Sequence, residues 1–188
     1  MRPSHNNRGF TLPELMITLG IVAIVLSVAV PGFNNTIKDN RLAGSLNSIV
    51  TDVHFARSEA VKRDARVIMC RTANPNQAEP SCGGTAKVWT DGYIIFADDG
   101  NYTNDDYDAG TDVLLRRGQQ AAPDVRLRTN ATWNEDLEFN PDGTTNENNA
   151  VAQMAICDDR GKVKGRTVTV APSGIPIMKA GDIASCVL

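Results

Sequence analysis

Histidine is nearly missing from this chain: among 188 residues only His5 and His54 carry an imidazole. A histidine-based catalytic triad and a His-x-x-x-His metal pair are therefore excluded. No glycine-rich phosphate loop follows a strand-like run, which removes the usual nucleotide-binding device. There is no Cys-x-x-Cys pair either, and the four cysteines, Cys70, Cys82, Cys157 and Cys186, have no histidine beside them. That pattern argues for disulfides and against zinc. An excess of positive charge is also lacking. The net charge of −3 does not suit a chain that coats nucleic acid through bulk charge. The absences together point away from an enzyme.

What is present begins at Gly9. Residues Gly9 to Phe33 read GFTLPELMITLGIVAIVLSVAVPGF, and from Leu15 to Val30 only Thr18, Gly20 and Ser27 interrupt the apolar side chains. As a helix, Leu12 to Phe33 would extend roughly 33 Å at about 1.5 Å per residue, enough to cross a bilayer core. One carboxylate, Glu14, stands at the start of this run, where burial at mid-bilayer would cost about 2.5 to 3.5 kcal/mol. It asks for a partner. Two plainer accounts compete. Thr11-x-x-Glu14 has the form of a capping box, and Arg2 and Arg8 ahead of an apolar core that ends in Val28-Ala29-Val30 have the form of a cleavable signal peptide.

Beyond Pro31-Gly32, where a kink or melted turn is expected, Ile37, Leu42, Leu46, Ile49, Val50, Val53, Ala56 and Ala60 recur at helical spacing to about Arg63. The period then changes to two. Arg66 to Arg71, Lys87 to Ala97, Asp112 to Arg117, Val125 to Thr129, Leu137 to Asn140, Ala150 to Cys157, Arg166 to Ala171 and Ile175 to Lys179 read as short strands between Gly, Pro, Asn and Asp clusters. The fold class is therefore α+β: a long N-terminal helix, membrane-spanning in its first half, packed on a small β-rich domain of roughly 120 to 150 residues. An even set of cysteines belongs to an oxidising compartment, outside the cytoplasm. Three connectivities are open. The favoured one joins Cys70 to Cys82 around a polar loop and Cys157 to Cys186 at the end of the chain, each bridge adding roughly 2 to 4 kcal/mol.

Two charge clusters stand out. Asp98, Asp99, Asn101, Asp105, Asp106, Asp108 and Asp112 crowd one loop, and oxygen ligands on such a loop suit calcium. Gly100 comes too early for an EF-hand and no glutamate closes the loop, so a solvated acidic loop is the competing reading. No other cofactor is expected. Basic residues gather at Arg116 and Arg117, at Arg126 and Arg128, and at Lys162, Lys164 and Arg166. Arg126 and Arg128 would share a strand face, either as a stripe that meets the phosphates of DNA or as a solvated surface.

The order Gly9-Phe10-Thr11-Leu12-x-Glu14-Leu15 before an uncharged run resembles the type IV pilins and the pseudopilins of related secretion machines. Only Pro13 departs from the usual pattern, at a place in the first helical turn where proline is tolerated. The resemblance implies that a prepilin peptidase and methylase cuts between Gly9 and Phe10 and N-methylates Phe10. It also implies that Glu14 stays unpaired in the membrane until it meets the Phe amine of a neighbouring subunit. The organisation it implies is a cleaved cytoplasmic leader (1–9), the transmembrane half of the helix (10–33), its amphipathic half (34–64) and a disulfide-stapled β-rich domain (65–188).

The Ala56-Arg57-Ser58-Glu59-Ala60 segment is similar to one subgroup, the GspH/FimT/FimU-type minor pilins. So are the Trp89 to Phe96 run, the Phe139 to Gly143 turn, and Gly165 to Val170 with Ser173-Gly174. The subgroup implies a minor pilin that joins the major pilin and other minor pilins to prime assembly and cap the tip. It would be held first in inner-membrane lipid with its domain in the periplasm, then in an extracellular pilus. The alternatives are a DNA-binding pilin for natural transformation and a GspH-type pseudopilin of a type II secretion system. DNA-uptake members carry Gly-Arg-x-Arg where this chain reads Gly174-Ile175-Pro176-Ile177, without either arginine.

Overall fold

The structure is a computed structural model that describes residues 10–98, 105–118, 120–131, 133, 135–146, 150–161 and 164–180, with the side chains of residues 30 and 31 left aside. Its elements are α1 (Leu12–Arg63), β1 (Arg66–Arg71), β2 (Tyr93–Asp98), β3 (Val113–Gly118), β4 (Arg126–Thr129), β5 (Asp136–Phe139), β6 (Ala152–Cys157), β7 (Arg166–Val170) and β8 (Pro176–Ala180). The chain divides into two compact units, Met1–Asp39 and Asn40–Leu188.

From Leu12 the described part of the first unit is helix, and its described apolar side chains up to Phe33 are exposed. An 18-residue window of α1 reaches a mean hydropathy of 2.4 with none of it buried. The hydroxyls that interrupt the run turn back on the helix: Thr18 Oγ1 donates to Leu15 O at 2.8 Å and Ser27 Oγ to Ile24 O at 2.7 Å. No hydroxyl in the run is thereby left facing lipid without a partner, which is what a bilayer requires. The expected melted turn at Pro31 does not occur, since α1 is helical throughout. One lost donor, at a cost of about 3 kcal/mol, is set against the hydrogen bonds of the helical turns on both sides of it, which continue through the proline.

In the second unit the remaining turns of α1 bury Leu42, Leu46, Ile49, Val53, Ala56 and Ala60 along one stripe. Two antiparallel four-stranded sheets complete the core, ordered β3-β2-β1-β5 and β4-β6-β7-β8. The first sheet turns Val67, Met69, Tyr93, Ile95, Ala97, Leu137 and Phe139 to the helix; the second contributes Leu127, Met154, Ile156, Val168 and Val170. The other face of the first sheet is also covered, with Ile68, Cys70, Ile94 and Phe96 packed against Tyr107 and Leu114. That double burial explains why β1 and β2 are apolar on both faces, with every residue of each strand buried.

The expected strand from Lys87 to Ala97 is corrected to β2 alone. Trp89 turns its ring into the core against Trp133, centroids 5.4 Å apart. The chain then reverses at Gly92, whose φ of +134° suits glycine. Cys70 and Cys82 are bonded, with Cα atoms 5.6 Å apart. Cys157 is also disulfide-bonded; Cys186, its expected partner, lies outside the described residues.

Candidate functional site

Gly9 lies outside the described residues, and the description begins at Phe10, which is 81% exposed. Leu15 N donates to Thr11 O at 3.1 Å, closing the first helical turn. The reciprocal side-chain bonds of a capping box are absent among the described residues: neither the Thr11 hydroxyl nor the Glu14 carboxylate makes one. Glu14 is exposed on that first turn. A carboxylate near the positive end of the helix dipole is favourably placed, yet on its own chain it meets no described cation.

The far end of α1 holds a second constellation. Arg57 Nε donates to Gly143 O at 3.0 Å. Gly143 and Gly174 both have positive φ, and a Cβ on Gly174 would come within 2.2 Å of Gly143 O and 3.0 Å of Arg57 Nε. Arg57 thus gathers the turn after β5 and the turn before β8 onto the helix. Beside it Glu59 pairs with Arg63 at 2.7 Å and Lys62 at 3.2 Å, and these bonds, Arg63's first, hold its carboxyl below the ordinary value. The segment that reads as a charged helix terminus is a clamp between helix and loops.

The acidic loop does not act as one unit. Asp98 binds Arg66, and Arg66 also reaches Asp105 at 3.0 Å and Glu138 at 3.3 Å. Asp112 instead accepts from the Asp108 amide at 2.8 Å. Asp99 and Asn101 lie outside the described residues. Ligand oxygens of Asp105, Asp136 and Glu138 lie within 4.8 Å of one another, and the Arg66 guanidinium already supplies the positive charge there. Burial, then the neighbouring charges of Glu138, Asp105 and Glu135, pushes the Asp136 carboxyl up to about 7.

Between its unfolded value of about 3.9 and that figure, the folded state holds a proton that the unfolded state has released, so stability falls as pH rises through this window. Asp136→Asn should therefore raise stability at pH 8 by about 1 to 2 kcal/mol after allowance for solvent screening, with no gain below about pH 4. Urea unfolding of the detergent-solubilised chain at pH 4, 6 and 8 checks this. An equal effect at all three values would refute it.

Other sequence-expected residues separate. Arg126 and Arg128 pair with Cys157 and Ala155, which puts them on the outer face of the second sheet. Arg166 pairs with Ile156 on the core-side face, and its guanidinium bonds Lys164 O and Gly165 O. Lys164 is exposed, and Lys162 lies outside the described residues. Arg116 is taken up by Asp52 at 2.5 Å and by the Phe55 ring, 3.9 Å away. Arg117 binds the carbonyls of Pro75, Gln77 and Ala78 and so ties the Cys70–Cys82 loop to β3.

Residues 45–174 match the family described as Type II transport protein GspH, and residues 4–30 match the prokaryotic N-terminal methylation motif. The chain belongs to the GspH family of minor pilins and pseudopilins. Pilin-like protein PilA1 of Thermus thermophilus is 33% identical over 144 residues, which cover 72% of this chain and 78% of that protein. Two crystal forms of the type IV minor pilin FimU of Pseudomonas aeruginosa share the fold. One has a TM-score of 0.59 at 21% identity, over 80% of this chain and 98% of FimU; the other has 0.56 at 19%, over 78% and 100%. Membership in the GspH family makes this a structural subunit, anchored by its apolar helix with the globular unit outside the cytoplasm.

Proposed function

We propose that the chain is a minor pilin of a type IV pilus. It is cut between Gly9 and Phe10 by a prepilin peptidase, methylated at Phe10, and joins the major pilin and other minor pilins to prime assembly and cap the tip. Glu14 carries this reading: an exposed carboxylate without a described partner, at the head of a helix long and apolar enough to span a membrane. In inner-membrane lipid such a charge is costly, and a neighbour's terminal amine relieves the cost. The family's own description favours a second reading, the pseudopilus of a type II secretion system. Contact with DNA is weaker support for function, because Arg166 faces away from Arg126 and Arg128.

Intact-mass measurement of the chain from sheared filaments tests the proposal. The expected mass is that of a chain starting at methylated Phe10 with the deficit of two disulfides. A start near Val30 or Pro31 would establish a signal peptide and overturn it.

A further inference from the structure

The Cys70–Cys82 disulfide is a reactive group that assembly leaves unused, and its two ends are unequally placed. Cys70 is 1% exposed and packs with Ile68, Ile94 and Phe96, whereas Cys82 is half-buried. The register of β1 sets Cys70 between Ile94 of β2 and Asp136 of β5. Directly opposed residues have Cβ atoms about 4.5 to 5.5 Å apart, so Asp136 is an immediate neighbour of the bond. Both cysteines line a cleft of about 340 Å³ together with Asp105, Asp106, Glu135 and Asp136. Among the described residues Arg71 is the only cation lining it, and it bonds Glu135 at 2.7 Å. Asp106 is exposed. The cleft is thus net negative. The loop that the disulfide closes is also held without it: Arg117 binds the carbonyls of Pro75, Gln77 and Ala78, and Thr72 N donates to Gly92 O at 3.0 Å.

We propose that Cys82 Sγ is a thiol–disulfide exchange site whose acidic cleft selects cationic or neutral thiols over anionic ones. The thiolate of a small thiol attacks Cys82 Sγ, the more accessible sulfur. The Sγ–Sγ bond breaks with its electron pair on Cys70, which takes up a proton. A second thiol then frees Cys82 and leaves as the reagent's own disulfide, so that two thiols are oxidised for one protein disulfide reduced. Three features slow this sequence. Cys70 leaves as a thiolate into an apolar cluster beside Asp136, and burial and a neighbouring negative charge both make a thiolate a poorer leaving group. The pinned loop keeps Cys70 close to the mixed disulfide on Cys82, which favours reclosure over the second step. The attacking thiolate is itself an anion, and the cleft repels it. A further negative charge on the reagent adds to that repulsion, whereas an ammonium group offsets it.

The full-length chain in an uncharged detergent at pH 8, treated with cysteamine, mercaptoethanol or mercaptoethanesulfonate, tests this. Acid quenching, alkylation and peptide mass spectrometry locate each adduct and separate this bond from the one at Cys157. Rates per thiolate, divided by those of the same reagents with hydroxyethyl disulfide, remove the intrinsic reactivity of each thiol. The first adduct should fall on Cys82, with Cys70 as the free thiol. Cysteamine should be preferred over mercaptoethanesulfonate about tenfold at low salt, and only about twofold at about 1 M salt, where the Debye length is about 3 Å. Asp106→Lys, at an exposed position, should cut the low-salt preference several-fold. A first adduct on Cys70, rates that do not depend on the charge of the thiol, or a preference that neither salt nor Asp106→Lys alters would overturn the proposal.

Discussion

Arg66→Met is expected to lose about 3 to 5 kcal/mol of folding stability at pH 7.5, the usual consequence of removing one partner from a buried ionic group. Arg66 is buried and binds Asp98, Glu138 and Asp105. Methionine fills similar space without the charge, and leaves Asp98 and Glu138, both buried, facing each other's neighbourhood uncompensated. Against a total of about 5 to 15 kcal/mol, this is about a fifth of the margin or more. Two further results belong to the same expectation. The loss should shrink as pH is lowered, because the Glu138 carboxyl, which burial already pushes above its ordinary value, takes up a proton and no longer needs the guanidinium, and Asp98→Asn should restore part of the stability in the Arg66→Met background. Chemical denaturation of the four proteins of this cycle measures both. A loss below about 1 kcal/mol, of the size of a surface pair, would show that the cluster is solvated and of little weight.

Glu14→Gln should leave the chain in the membrane and correctly cut, yet strongly deplete it from filaments formed beside wild-type subunits. Glutamine keeps the oxygen a capping box uses and removes only the charge. A capping role therefore predicts little change, and pairing with a terminal amine predicts loss. Glu14→Ala should behave like Glu14→Gln, since both lack the carboxylate. The loss is expected to be partial rather than complete, because a subunit at the tip has no neighbour ahead of it. Immunoblots of sheared filaments against the membrane fraction decide the matter: wild-type amounts of Glu14→Gln together with an unstable Glu14→Ala would favour capping and sink the charge-pairing account.

Much of this architecture is legible in the sequence, and the exceptions have a common cause. The stripe from Leu42 to Ala60 and most strands follow from periodicity, because burial on one face imposes a period that local reading detects. Glu14 is legible because its whole motif is contiguous. Arg57 is not, since its partner Gly143 lies 86 residues away. In the acidic stretch from Asp98 to Asp112, the pairing of Asp98 and Asp105 with Arg66 is not legible, because it depends on the register that sets Arg66 opposite Asp98 across β1 and β2. The long strand expected from Lys87 fails at Gly92 because packing of the Trp89 ring, a tertiary matter, decides where the chain turns.

The central place of β1 also sets a timetable for the growing chain. Its two neighbours are β2, next in sequence, and β5, which begins only at Asp136. Synthesis at about 5 to 20 residues per second places β5 roughly 3 to 13 s after the end of β1. During that interval a fully apolar-flanked strand has one backbone edge open, the condition under which nascent β proteins pair with the wrong chain. Strand order thus leaves β1 with one open edge until β5 is made, and anything that delays the stretch from Gly118 to Asp136 lengthens that exposure.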